Sequence, residues 1–359
     1  MGKREIKKMI IAVGVLFCFL GSIAVFFSIP YSKTRTEFLS IRDSILIDTA
    51  KNLEVFTEEE VSHLPPPVKK YFYYCGYIGA PKMHSMKAIY KDVKFLFGKG
   101  KPMVIIDYIQ YNIVSEPARI AYIDSSMYGI PFEGLDSYTA GNGSMKGVLA
   151  KLFTLFNQNG ETMDKASLVT FLSECLLIPN AALQDYITWE EIDALHAKAT
   201  ISYYGSTASG IFTFNENGEM FSFTTNDREA TATDGTSEKV KWSVVCSEYK
   251  ETKGIKKPTW FQAIWHYEDG DLLYFDGKDV VIEFDYEQML FGERKTMDTN
   301  LLQKLEKNFN KTITSHQIYE AVLFVENTKG DFSYSKGYGG KDIDSPLLMA
   351  SITKLFTTT

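Results

Sequence analysis

KWSVVCSEYKETKGIKKPTWFQAIWHYEDGDLLYFDGKDVVIEFDY, residues 241–286, is the stretch on which the fold class turns. The runs VKWSVVCSEY, TWFQAIWHY, DLLYF and VVIEFDY are dense in β-branched and aromatic residues, which fit a pleated, half-buried surface. Between them stand Lys253-Gly254, Asp269-Gly270 and Asp276-Gly277, short turn signals of the kind that close hairpins. Connections this short permit only antiparallel pairing. The stretch therefore predicts an antiparallel meander.

The same pattern extends upstream. AKATISYY, SGIFTF and EMFSFTT follow one another around Asn217-Gly218. Earlier still, from about Lys82, MKAIYKDVKFLF, MVIIDYIQYNIV and RIAYIDSSMY read as strands broken by Gly and Pro. Two helical segments are expected to interrupt the strands. Ser144 to Phe156 places Val148, Leu149, Leu152, Phe153, Leu155 and Phe156 at helical spacing, and Asp164 is a candidate cap for the next helix, which buries Leu168, Phe171, Leu172 and Cys175 before Pro179. The strand-rich region starts at Thr57-Glu58-Glu59-Glu60, a capping box. Pro65-Pro66-Pro67 ends that short helix and begins a second, VKKYFYYC, which Gly76 stops. The fold class is α+β and mainly antiparallel β. Its expected architecture is a curled open sheet or half-barrel of roughly ten strands, with helices covering one mouth.

At the N-terminus, Lys3, Arg4, Lys7 and Lys8 precede MIIAVGVLFCFLGSIAVFFSI (Met9 to Ile29), which carries no charge. At about 1.5 Å per residue this run reaches roughly 32 Å, enough to cross a bilayer core. The basic residues before it outnumber Lys33 and Arg35 after it, so the N-terminus is expected in the cytoplasm and the bulk outside. A cleaved signal peptide is the rival reading; no Ala-x-Ala site precedes Pro30. With 38 basic against 45 acidic residues and no long basic run, nucleic acid is not an expected partner. Cys75, Cys175 and Cys246 are scattered, and His63, His84, His196, His266 and His316 never fall at ligand spacing. No disulfide framework, metal or cofactor is expected.

Near the C-terminus, Ser351-Ile352-Thr353-Lys354 forms an S-x-x-K pair. On a helix the two side chains lie about one turn apart, so a neutral Lys354 can take the proton of an attacking Ser351 hydroxyl. The same spacing recurs at Ser247–Lys250 and Ser333–Lys336, in strand-like stretches where residues three apart face opposite ways. Residues from about 313 to 359, including AVLFVENTKGDFSYSKGYGGKDIDSPLLMASITKLFTTT, resemble the opening of the serine β-lactamase and penicillin-binding-protein superfamily. That resemblance implies Ser351 as acylated nucleophile and Lys354 as its activator. Only LFTTT follows Lys354, so the family's second and third motifs are missing and the resemblance implies an incomplete, inactive hydrolase domain.

A second resemblance covers residues 57–290. LPPPVKKYFYYCGYIGAPK, GIPFEGLDSYTAGNGSMKGVLAKLF, FLSECLLIPNAAL and YITWEEID are similar to an uncharacterised bacterial family of domains of unknown function. Their order of strands and helices also resembles the open half-barrels of lipoprotein and lipid carriers. Asp136, Tyr138, Asn142, Trp189, Glu190 and Glu191 stand out as polar or aromatic groups near loops. Asp136 and Asn142 read as turn residues. Glu190 and Glu191, adjacent on a strand, face opposite ways and read as solvated rather than as an acid/base pair. Phe212, Phe214, Phe221, Phe223, Trp260 and Trp265 read as core or cavity lining.

The expected organisation is an anchor (1–30), a connector (31–56), the β-rich domain (57–290), a linker helix (291–312) and the hydrolase-like start (313–359). The main functional expectation is a membrane-anchored extracytoplasmic serine hydrolase, acting in its intact form on peptide, ester or lactam bonds. The alternative is binding of lipid or another hydrophobic ligand by the β-rich half-barrel.

Overall fold

The computed structural model describes residues 3–29, 31–46, 54–127, 129–232, 235–285, 299–315, 321–326 and 333–338. They belong to two units, Met1–Leu290 and Phe291–Thr359. The first opens on helix α1 (Lys3–Ser28), whose apolar side chains point outward on every side. Among the described residues it is the helix long and apolar enough to cross a membrane. Helix α2 (Lys33–Leu46) follows within the expected connector.

Helix α3 (Glu58–Val61) is one turn fixed by its cap. The Glu60 N–H donates to Thr57 Oγ1 at 3.3 Å, and the Thr57 N–H donates to Glu60 Oε2 at 3.0 Å. Helix α4 (Pro66–Cys75) begins on the proline run and ends at Gly76, whose φ of 80° suits a residue without Cβ. It buries Val68, Tyr71, Phe72 and Cys75.

Two runs of strands follow, separated by one helix. The first comprises β1 (Ser85–Leu96), β2 (Met103–Ile113), β3 (Ala118–Met127), β4 (Ile130–Thr139), β5 (Asn142–Leu149) and β6 (Phe153–Asn159). Helix α5 (Glu161–Glu174) then leads to β7 (Ile187–Asp193), β8 (His196–Tyr203), β9 (Ser206–Phe214) and β10 (Met220–Thr225). A small hairpin, β11 (Glu229–Thr231) and β12 (Ser237–Lys239), precedes β13 (Lys241–Thr252), β14 (Ile255–Tyr267), β15 (Gly270–Gly277) and β16 (Val281–Phe284).

Fourteen strands form one sheet in the order β6-β5-β4-β3-β2-β1-β15-β14-β13-β10-β9-β8-β7, with β16 also on β1. Strand β1 is the hinge of this arrangement. One edge pairs with β2 along most of its length; the other pairs with β16 at Met86–Ile89 and with β15 at Lys94–Phe95. The register shifts between Tyr90 and Val93, where Asp92 has a φ of 52°, and such a bulge increases local twist. The sheet remains open: β6 and β7 are its edges, and α5, which joins them in sequence, packs against β5 and β9. The two wings meet at their tips. A Cβ on Gly141, in the β4–β5 turn, would lie 2.5 Å from Tyr204 Cβ in the β8–β9 turn.

The inner face of the sheet, α4 and α5 share one apolar core containing Tyr71, Phe72, Phe132, Leu172, Phe212 and Trp242. On the outer face, Phe38 of α2 packs with Ile120, Tyr122 and Leu135 of β3 and β4. Strand β3 is thus covered on both sides at Ala118–Ile123, which accounts for its unbroken burial there. In the second unit, helix α6 (Thr299–Ser315) is followed by a hairpin of β17 (Ala321–Glu326) and β18 (Ser333–Tyr338).

Three expectations are corrected. Ser144 to Phe156 is not a helix but the end of β5, a turn through Ala150 and Lys151 with φ of 54° and 61°, and the start of β6. The helical spacing of its apolar residues loses to sheet pairing on both edges of β5. Asp164 does not cap its own helix, since Gly160 holds that position; the Gly143 N–H donates to Asp164 Oδ1 at 2.6 Å, tying α5 to β5. Asp136 is not a turn residue but lies within β4, opposite Ala121.

Candidate functional site

Two adjoining cavities open between the curled sheet and α5. The inner one is about 160 Å³ and is lined largely by apolar side chains, among them Tyr90, Ile106, Ile123, Leu177, Val244 and Phe275. The outer one is about 490 Å³ and is framed by Phe97, Phe156, Met163, Trp265 and Leu272, with the β11–β12 hairpin along its rim. Phe95, Met145, Arg228 and Tyr274 line both, so the two adjoin at these residues and are taken together as one recess with its throat between them. The β11–β12 hairpin is tied to the opposite wing where Gln158 Nε2 donates to Ala232 O at 2.5 Å.

One wall of the inner cavity is polar. The Arg119 side chain is 5% exposed and is surrounded by acceptors. Its Nη1 donates to Asp136 Oδ2 at 2.6 Å, its Nε to Glu174 Oε2 at 3.2 Å, and its Nη2 to Gln110 Oε1 at 3.3 Å and to the Tyr108 hydroxyl. Glu174 Oε2 also accepts from Gln110 Nε2 at 2.8 Å and Asn112 Nδ2 at 2.7 Å. Burial works against the Arg119 charge, but Asp136, Tyr108 and Glu174 outweigh it and keep the guanidinium protonated. This cluster ties β2, β3 and β4 to the C-terminal turn of α5, and two carboxylates face its single cation.

Arg228, at the throat, is held differently. Its guanidinium carbon lies 4.4 Å from the centre of the Trp242 ring and 5.6 Å from that of Trp265. Nη1 donates to Thr170 Oγ1 at 2.8 Å, while the buried Nε has no hydrogen-bond partner. No described carboxylate forms an ion pair with it; neighbouring Asp227 pairs with Lys165 at 3.6 Å.

The recess offers shape, apolar surface and fixed charge, but no nucleophile–base pair among its lining residues. No histidine lines it. The Ser173 hydroxyl donates to Thr170 O at 2.7 Å, and burial pushes the Cys246 thiol up to about 12.

The sequence-predicted residues are dispersed. Ser351 and Lys354 lie outside the described residues, as does the Asn327–Gly330 turn. Tyr138 is buried in β4, and its hydroxyl has no partner. The Asn142 side chain donates to Ala140 O at 2.9 Å beside the turn. Glu190 and Glu191 are exposed, and Lys198 pairs with Glu190 at 3.1 Å. The Trp189 ring packs on Phe212, their centroids 5.4 Å apart. Phe212, Phe214 and Phe223 are core; Phe221 is exposed; Trp260 donates to Asp276 Oδ1 at 2.7 Å; Trp265 alone of this group lines the recess.

Arg119, Glu174 and Arg228 were not singled out from sequence. A signal exists for the first two. Gln110 and Asn112 sit two apart in a mostly apolar strand, so both face one side, and Glu174 interrupts the mostly apolar stretch FLSEC. Arg228 carries no such pattern.

The chain is similar in part to solved structures. A domain described as of outer membrane lipoprotein-sorting type from Vibrio parahaemolyticus matches with a TM-score of 0.32 and 11% identity, over 61% of this chain and 90% of that one. A LolA superfamily protein from Nitrosomonas europaea matches with a TM-score of 0.32 and 8% identity, over 60% and 93%. A DUF1329 family protein from Desulfovibrio piger matches with a TM-score of 0.33 and 10% identity, over 63% and 98%. No curated protein gives a match. The serine-hydrolase expectation is corrected here: these three matches are a lipoprotein-sorting-type domain, a LolA superfamily protein and a DUF1329 family protein, and none is described as a β-lactamase-like enzyme. A family model does match, spanning residues 54–277 and therefore the whole curled sheet up to the end of β15. The chain belongs to the family of unknown function DUF6544.

Proposed function

We propose that the chain is a membrane-anchored, extracytoplasmic protein that holds a hydrophobic ligand, an acyl chain or lipid, in the recess between its sheet and α5. The observation that carries this reading is the recess itself. Its outer part, about 490 Å³, falls in the range of roughly 300–1,000 Å³ usual for small-molecule sites, and the inner part extends it with aromatic and aliphatic walls. Such walls favour burial of apolar ligand surface by about 25 cal/mol per Å².

The anchor is α1, and the basic residues before it favour a cytoplasmic N-terminus. A contact at its far end supports a position of the sheet close to the bilayer. Lys151, in the β5–β6 turn, donates to Phe27 O at 3.2 Å and to Ile29 O, so the turn covers carbonyls at the C-terminal end of α1. Beside it Leu152 and Phe153 are 65% and 63% exposed. Large apolar side chains next to the end of a membrane helix suit the bilayer interface better than water.

Native mass spectrometry of the full chain, purified from membranes in nanodiscs, tests the ligand reading. The expected spectrum carries a bound amphiphile that withstands removal of the surrounding lipid. A chain that is apo in every preparation, and takes up no added acyl ligand, refutes it.

A further inference from the structure

The recess contains two arginines, and they are not equivalent. Arg119 is saturated: Asp136, Glu174, Gln110 and Tyr108 all accept from it. With two carboxylates around one guanidinium, that wall repels an incoming anion. Arg228 has one hydroxyl partner, a buried Nε with none, and no described ion-pair partner. Its guanidinium lies over two neighbouring indole rings, which hold a cation without neutralising it. Arg228 lines both cavities, where the apolar inner one meets the wider outer one.

We infer that Arg228 reads the head of the ligand: the molecule bound here is an amphiphile with an anionic group, carboxylate or phosphate, seated at Arg228 and an apolar chain in the inner cavity. This rests on the hydrophobic-ligand reading above and narrows it to a charge class. A guanidinium suits such a head because its donors lie in one plane and meet two oxygens at once. Lys99 and Lys101 line the outer cavity beyond it, but Glu229 and Glu238 lie there too, so the mouth adds no net positive charge. Lys99 itself is paired with Asp269. Arg228 is therefore the group that distinguishes an anionic from a neutral head.

The test uses the full chain in amphipol, titrated with decanoate, decanol and inorganic phosphate. Tryptophan emission follows binding, since Trp242 and Trp265 flank Arg228, and calorimetry gives the affinities. Decanoate is expected to bind roughly ten-fold or more tightly than decanol, the ratio that one charge-assisted hydrogen bond supplies. Arg228→Met keeps an apolar stem against the indoles and is expected to erase that ratio while leaving decanol binding in place. Arg228→Lys is expected to retain part of it; Arg228→Gln replaces the Met variant should the latter lose its β-sheet circular dichroism. The inference is overturned if Arg228→Met still prefers decanoate, if the intact chain binds decanol as well as decanoate, or if phosphate alone binds as tightly as decanoate, which marks a free-anion site. If neither decanoate nor decanol binds the intact chain, the hydrophobic-ligand reading falls and takes this one with it.

Discussion

Arg119 shows how much of the structure depends on a few buried groups. Its partners Asp136 and Glu174 have side chains 21% and 14% exposed, so removing the cation leaves both carboxylates poorly hydrated and unpaired. Breaking a buried pair from one side typically costs about 3–5 kcal/mol. Arg119→Ala is therefore expected to lower the urea midpoint by that order, and a change under about 1 kcal/mol would contradict the network. The cysteines give a second residue-scale prediction. Burial pushes the Cys75, Cys175 and Cys246 thiols up, Cys246 to about 12. At pH 8 each stays a neutral thiol, and the nucleophilic thiolate is scarce. Iodoacetamide should leave these three unmodified in the folded chain and label them after denaturation. Rapid labelling of any of them under native conditions would refute their burial.

At the scale of elements, two junctions are decisive. The α3 cap holds the entry to the sheet domain: burial raises the Glu60 carboxyl, but the Lys82 ammonium and the Thr57 N–H outweigh it and hold it below its usual range. A carboxyl depressed in the folded state contributes stability above the ordinary carboxylate range, lost as pH falls through its folded value. Thr57→Ala should cost about 1 kcal/mol at neutral pH, measured by thermal unfolding, with the difference shrinking in acid. The second junction is where α5 lies on β5. A Cβ at Gly143 would meet Met163 O at 2.3 Å and Ser167 Oγ at 2.5 Å, and backbone cannot step aside cheaply. Gly143→Ala is expected to destabilise by about 1–3 kcal/mol, as overpacked cores do, and an unchanged melting temperature would show that α5 is not seated there. The apolar turn beside α1 belongs to this scale as well. Leu152→Ser with Phe153→Ser should weaken association of the sheet domain with vesicles once α1 has been cleaved from it, while leaving the fold intact.

For the whole molecule, the cavity is the feature that a variant can fill. Ala263 lines the inner cavity from β14, so the larger side chain of Ala263→Leu enters open space. Its stability should fall by less than the roughly 1–3 kcal/mol of an overpacked core, while bound amphiphile disappears from the native mass spectrum. Full ligand occupancy in that variant would place the ligand elsewhere.

Much of this architecture was legible before the fold was known, and the reason is local. The Lys253-Gly254 turn has φ of 56° and 82°, so two residues suffice to reverse the chain and fix an antiparallel neighbour. The capping box, the Pro66 start and Gly76 stop of α4, and the unbroken apolar run of α1 are likewise decided by residues within a turn or two of each other. Ala140-Gly141 makes the same kind of reversal with a less telling first residue, which is why β4 and β5 escaped the reading. Other features had no local cause. The helical spacing in Ser144 to Phe156 yielded to pairing with β4, a choice made by hydrogen bonds between strands. Asp136 became an ion-pair partner only because β3 and β4 lie side by side, bringing Arg119 diagonally across from it on the sheet. Sequence by itself determined the antiparallel strands and the membrane-length helix, since hairpin turns and apolar length are properties of neighbouring residues. Only the tertiary structure decided the recess and its unpaired arginine, because both arise where a curled sheet brings together strands far apart in the chain.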